Sequence, residues 1–334
     1  MLSMQLPKGK TNCITDVPDV RVGHVTLYEK LDDGNTICTG VTAVLPHGEN
    51  LFKKKVHASS SVINGFGKTA GLIQLEELGF IESPIMLTNT FSVGSVLQGT
   101  LQYMLDENKD IGDNTSTINI VVGECNDGYL NSIRLQAVKP DHAIQAIKNA
   151  KTEKVEEGAI GAGKGMVCFG YKGGIGTSSR VVTGGGETYT VGVLVLSNYG
   201  NRDEALFADF TKRELETPDG SIIMVIATDA PLYDRQLRRL AKRCAAGLGR
   251  TGSHIAHGSG DIAIAFSTAN KIHHNANEHT ESMTYIRDSH KVMNQLFQAV
   301  IETTEEAIIN SLKNAKTTEG KRGRVVEKAP IPQE

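Results

Sequence analysis

The stretch Asp219-Gly220-Ser221-Ile222-Ile223-Met224-Val225-Ile226-Ala227-Thr228-Asp229 decides how this chain is read. Asp-Gly is a turn dipeptide, because glycine tolerates backbone angles that other residues avoid. The run Ile222 to Ala227 is continuous, apolar and rich in β-branched residues, as a strand buried on both faces should be. Ser221 stands where the turn gives way to the strand. Two readings of that serine stay open on these residues alone: an ordinary strand-entry residue, or a nucleophile held at the rim of a sheet. In the second case, a cut before it would leave Ser221 with its own amino group as a base.

The 334 residues around this stretch suffice for one large domain or two ordinary ones, with a sizeable core. Hydrophobic content of 39% and charged content of 22% fit a soluble globular chain. A formal net charge of -3 gives no global attraction to nucleic acid or an anionic membrane. Tryptophan is absent, which removes the best base-stacking platform. Cys13, Cys38, Cys125, Cys168 and Cys244 are scattered and never form C-x-x-C, so neither a disulfide framework nor a zinc site follows. Met1 to Asn12 holds no apolar stretch of signal-peptide length, and no segment approaches the ~20 apolar residues of a membrane span. The expected location is the cytoplasm.

Working outward, Thr15 to His24 alternates apolar and polar and reads as an edge strand interrupted by Pro18. Val41 to Leu45, Ile85 to Leu87, Ile118 to Val122, Val191 to Leu196 and Ile262 to Phe266 read as strands. Lys53-Lys54-Lys55 reads as a solvated loop, and Ser59 to Lys68 as a polar, glycine-punctuated loop. Leu72, Leu75 and Leu78 repeat at helical spacing up to Gly79, a C-cap glycine. Helices are also expected over Val93 to Met104, Asp141 to Ala150, Leu237 to Leu248 and Leu296 to Leu312. Residues 201–218 read as an exposed linker leading to Gly220-Ser221, and 313–334 as a polar, basic tail with little fixed structure. Strands and helices alternate irregularly, which points to a layered α+β fold with a mixed sheet, or two sheets, between helices.

Several familiar motifs fail on context. Gly158-x-x-x-x-Gly163-Lys164-Gly165 lacks the hydroxyl that a P-loop needs after its lysine, and charged residues, not a strand, precede it. No G-x-G-x-x-G follows a strand, and there is no G-x-S-x-G elbow. His273, His274 and His279 lack diagnostic metal-ligand spacing and read as loop histidines. Four polar clusters remain at strand ends: Glu124 to Asn131, Ser197-Asn198, Gly220-Ser221 and Ser259-Gly260-Asp261. Separately each is a turn. Together they supply the parts of an acyl-transfer site: a hydroxyl nucleophile, a side-chain amide for an oxyanion, a second hydroxyl with a carboxylate, and a further carboxylate.

Seven stretches carry a resemblance: Thr15 to His24, Gly123 to Asn131, Lys172 to Arg180, Leu196 to Gly200, Asp219 to Ile223, Ala227 to Leu232 and Gly258 to Ile262. In them the chain resembles the self-processing serine aminopeptidases, the family of L-aminopeptidase/D-esterase and the β-peptidyl aminopeptidases. The matches span most of the chain in family order. The resemblance implies a four-layer α-β-β-α sandwich, similar to N-terminal-nucleophile hydrolases but with ornithine-acetyltransferase-like connectivity. It implies one catalytic domain over 1–312 whose precursor cuts itself at Gly220-Ser221 into 1–220 and 221–334.

Residue by residue, Ser221 matches the nucleophile and supplies its α-amino base. Ser259 and Asp261 match the hydroxyl and acid that orient it, where members often carry Glu in place of Asp261. Asn198 matches the oxyanion amide. Glu124 matches the carboxylate that holds the substrate's terminal ammonium. Some members carry a Tyr that assists the oxyanion at the position of Asn126, and many carry Asn and Glu where this chain has Phe66 and Lys68. The expected substrates are short peptides, amides or esters with a free amino terminus. Neither metal nor cofactor is expected, nor a nucleic-acid or membrane partner; a homo-oligomer of processed pairs is. The alternatives are an acyltransferase on the same fold, which in the related acetyltransferases processes at threonine, and a non-catalytic small-molecule-binding relative.

Overall fold

A computed structural model describes residues 4–207, 220–276 and 278–332. In chain order the strands are β1 (Arg21–Lys30), β2 (Thr36–Leu45), β3 (Lys54–Gly65), β4 (Phe80–Ile81), β5 (Ile85–Asn89), β6 (Val121–Cys125), β7 (Val167–Cys168), β8 (Tyr171–Lys172), β9 (Gly174–Gly184), β10 (Glu187–Asn198), β11 (Ser221–Thr228), β12 (Gly260–His273), β13 (Thr318–Glu319) and β14 (Val325–Val326). The helices are α1 (Leu72–Leu78), α2 (Val93–Glu107), α3 (Pro140–Lys148), α4 (Asp234–Ala241), α5 (Cys244–Arg250) and α6 (Val292–Lys313). Six strands form one sheet in the order β4-β3-β12-β11-β10-β9, and four form a second in the order β1-β2-β5-β6. Both sheets are mixed, since β11 and β12 run parallel, as do β5 and β6, among antiparallel neighbours. The fold class is α+β, as expected.

The opening run explains the layering. Successive side chains of a strand point to opposite faces. On one face of β11, Ile222, Met224 and Ile226 pack with Leu237, Leu240 and Leu248 of α4–α5 and with Leu296, Val300 and Ile308 of α6. On the other, Ile223, Val225 and Ala227 pack with Val44, Ile85, Leu87 and Val121 of the four-stranded sheet. That sheet's far face carries Val41, Ala43, Met86 and Val122 against Val96, Met104, Ala143 and Ile147 of α2 and α3. A run apolar at every position is what a strand with both faces covered requires. Among the described residues no helix is long and apolar enough to cross a membrane.

Several readings are corrected. Thr15 to His24 begins as a 3-10 turn over Ile14–Asp16, with strand only from Arg21, because the Asp16 carboxylate gathers the Thr11 and Cys13 amides and the Ser179 hydroxyl. Most of Ser59 to Lys68 is strand β3, not loop. Its buried Ser60 is satisfied by Glu76, which accepts both the Ser60 amide and its hydroxyl at 2.6 Å. Lys55 is not solvated either; it is buried against Glu82 at 2.7 Å and lies over the Phe52 ring. The expected strand over Ile118 to Val122 is displaced to Val121–Cys125, so Glu124 sits in a strand. The helical face Leu237, Leu240, Cys244 and Leu248 is buried as read, but two helices share it. Residues 208–219 of the expected linker lie outside the described residues; before them, Arg202–Glu204 forms a 3-10 turn and Phe207 meets the Phe169 ring edge-on.

The C-terminal segment is also ordered as far as Pro332. Polar composition hid its attachments, which are largely main-chain hydrogen bonds. The Lys321 amide donates to the Leu130 carbonyl at 2.7 Å, and the Lys172 amide to the Glu327 carbonyl at 2.8 Å. Val326 is buried with Cys38, Leu130 and Val167. Val326→Ala is therefore expected to lower unfolding free energy by roughly 1–3 kcal/mol in denaturant titration. No change would mean that the segment does not pack.

Candidate active site

Pairing geometry assembles the site. β10 ends where the antiparallel β11 begins, so Asn198 and Ser221 are cross-strand partners. β12 runs parallel to β11 and starts beside it, with Asp261 opposite Ile222. Three polar clusters far apart in sequence thus meet at one end of the six-stranded sheet. Ser221 and Asn198 share the alternation of Ile223 and Leu196, the residues that face the second sheet. Gly220 precedes them in a tight place. A Cβ there would lie 1.7 Å from the Asn198 carbonyl oxygen, so only glycine fits.

The Gly260 amide donates to Ser221 Oγ at 3.1 Å. A donor on a hydroxyl oxygen favours negative charge placed there. One residue to either side, Ser259 donates its hydroxyl to Asp261 Oδ1 at 2.7 Å. The second oxygen of Asp261 is buried with no hydrogen-bond partner among the described residues. Burial pushes this carboxyl from its ordinary 3.8 up to about 6, against the lowering effect of the Ser259 bond. Asn64 pins this corner by donating to the carbonyls of His257 and Ser259.

The Asn198 amide has one orientation, set by partners that can play only one role. Its Oδ1 accepts from the Val167 amide at 2.9 Å, and its Nδ2 donates to the Asn126 carbonyl at 3.0 Å. One Nδ2 hydrogen is left over. Glu124 is buried near the end of β6; it accepts from the Lys68 amide at 2.8 Å and from the Thr90 hydroxyl. The loop after β3 joins Glu124 to the rest, since Gly67 sits against both Glu124 Oε1 and Gly260.

Ser221, Gly260 and Asn198 are therefore neighbours, with Ser259–Asp261 beside them and Glu124 linked through the 66–68 loop. Asn126 contributes its main-chain carbonyl; its side chain is spent on the Gly128 amide at 2.9 Å. Phe66 is exposed, with Lys68 Nζ 4.3 Å from its ring centre. Thr90 and the amides of Val167, Lys68 and Gly260 were not anticipated. Main-chain donors carry no sequence signature, and Thr90 looks like any strand-end threonine. Among the described residues no group of three or more His, Cys, Asp or Glu is disposed to hold a metal ion.

Comparison with known proteins gives a consistent picture. A family model described as peptidase family S58 matches residues 12–326. The chain is 40% identical to the beta-peptidyl aminopeptidase BapA of Sphingosinicella microcystinivorans, over 96% of this chain and 86% of that one. A crystal structure from Pyrococcus horikoshii OT3 superposes with a TM-score of 0.90 at 50% identity, covering 98% of this chain and 93% of that one. The L-aminopeptidase D-Ala-esterase/amidase of Ochrobactrum anthropi, described as a variant of the Ntn hydrolase fold, superposes with a TM-score of 0.91 at 34% identity over 98% and 93%.

The buried Asp261 gives a stability prediction whose sign is fixed. Its folded pKa is raised, so the folded state holds the proton more tightly than the unfolded one, and stability is lost as pH rises through about 6. Asp261→Asn is expected to raise the thermal midpoint above pH 6, and the gain should vanish towards pH 3.8, where the native carboxyl is neutral. A midpoint difference that ignores pH would contradict this.

Proposed function

The chain belongs to peptidase family S58 and is a hydrolase of the aminopeptidase kind; from this premise we propose that Ser221 is its nucleophile, releasing N-terminal residues from short peptides, amides or esters. One observation carries the reading. Ser221 opens a buried strand, its Oγ takes a hydrogen bond from the Gly260 amide, and its cross-strand partner in the sheet is Asn198.

A precursor first cuts itself between Gly220 and Ser221, giving 1–220 and 221–334. The position of β11 between β10 and β12 supports this, because the new terminus would remain anchored by both neighbours. Its α-amino group has a reference pKa of ~7.7–8.0, so a neutral fraction exists near neutral pH to accept the hydroxyl proton. Ser221 Oγ adds to the substrate carbonyl carbon, and negative charge moves to the carbonyl oxygen. The free Nδ2 hydrogen of Asn198 binds that oxygen. The carbon–leaving-group bond then breaks, and the leaving group departs with the proton. Water attacks the resulting ester, the Oγ–carbon bond breaks, and the acid is released. Ser259 and Asp261 orient the serine.

Glu124 holds the substrate's ammonium. An ionised carboxylate offers about four lone-pair sites, and only two are occupied by Lys68 and Thr90. The three apolar layers support the finer reading of the fold as an α-β-β-α sandwich; ornithine-acetyltransferase-like connectivity and assembly as homo-oligomers of processed pairs are proposed from the family resemblance alone.

Ser221→Ala is expected to run as a single uncut chain in a denaturing gel and to turn over nothing. Two pieces from that variant would sink the assignment. Glu124→Gln is expected chiefly to raise KM for substrates with a free amino terminus, and equal handling of N-acetylated substrates by the unaltered enzyme would remove Glu124 from this role.

A further inference from the structure

Lys172 is fully buried, and no carboxylate lies among its hydrogen-bond partners. Its ammonium donates to the carbonyls of Gly163 at 3.0 Å, Met166 at 2.5 Å and Gly173 at 2.7 Å. All three of its donors are thus spent on main chain. Met166 C=O and Val167 N–H are the two ends of one peptide group, and that N–H fixes Asn198 Oδ1 at 2.9 Å.

We infer that Lys172 is a positioning residue for the oxyanion donor, acting through the Met166–Val167 peptide on the Asn198 amide. The inference rests on the proposed role of Asn198. A charge on the carbonyl oxygen polarises the peptide and strengthens its N–H as a donor. That N–H in turn draws charge from the Asn198 amide and strengthens its remaining Nδ2 hydrogen. Donors in series reinforce one another most where the surroundings are of low dielectric. The ammonium also ties Gly163, Met166 and Gly173 together, which holds the peptide in place. An apolar side chain would avoid the cost of burying a charge but would leave these three carbonyls without that donor.

The titratable and charged groups facing the ammonium are Cys38, Cys168, Lys164 and Asp127. Burial pushes the two thiols up to about 11 and about 12, so both stay neutral. Burial also draws Lys172 down to about 7 and pushes Asp127 up to about 7.

A double-mutant cycle tests the inference, with kcat referred to processed chains counted by intact mass. Lys172→Met is expected to lower kcat by roughly ten- to a hundredfold with KM little changed, and Asn198→Ala by about 10²–10³. In the Asn198→Ala background, Lys172→Met should cost almost nothing further, because its route is already cut. Additive losses, or a loss confined to KM, overturn the inference. Full activity of Asn198→Ala would instead overturn the oxyanion reading beneath it. If Lys172→Met does not fold, the Asn198 side-chain 15N resonance decides, measured in uncut Ser221→Ala protein that also carries Asp127→Asn and Asp261→Asn, which removes the titrations of those two carboxyls. It should titrate near pH 7 with Lys172; a flat resonance overturns the inference.

Discussion

The close approach of Gly220 to the carbonyl of Asn198 governs the candidate site. At 1.7 Å from that oxygen there is no space for a Cβ, so the chain enters β11 through a glycine or not at all. The approach lets β11 pair with β10 from its first residue, and Ser221 is thereby fixed opposite Asn198. Gly220-Ser221 thus has a packing reason independent of any chemistry. The proposed scissile bond is held where sterics already demand its first residue.

From that point the site is built mainly by main chain. The amides of Gly260, Val167 and Lys68 hold Ser221, Asn198 and Glu124 respectively. Amides on paired strands and short anchored loops move little, which suits groups that must meet a reacting carbonyl in one geometry. The side chains that do the proposed chemistry add little scaffolding of their own. The exception is Asn198, whose Nδ2 donates to the main-chain carbonyl of Asn126 just after β6 and so ties the two sheets together.

Much of this was legible in the sequence, for a physical reason. Ile222 to Ala227 is apolar at every position because helices cover one face and a sheet the other, and burial writes itself into composition. Gly79 ends α1 in the left-handed conformation that its position suggested. Where burial is achieved by polar residues the signal inverts. Ser59 and Ser60 look like loop but are buried in strand beside Glu76, and Lys55 looks solvated but lies beside Glu82. The C-terminal segment misled in the same way, since main-chain bonds attach it. The site's parts were legible as residue types at strand ends. Their partners were not, because Val167, Lys68 and Gly260 act through amides that every residue has.

The site also concentrates groups that are costly to bury. Among the described residues Asp261 keeps one carboxylate oxygen without a partner, and the hydrogen bonds of the buried Lys172 all go to main-chain carbonyls. Burying such groups costs free energy unless they are fully paired. The apolar layers on both sides of β11 can offset that cost, because they lie deeper in the fold and do not depend on the site. In the proposed function this carboxylate orients the serine through Ser259, and one of its oxygens accepts the Ser259 hydroxyl. The same burial that raises the Asp261 carboxyl to about 6 still leaves it ionised at neutral pH, with Ser259 as its one hydrogen-bond donor.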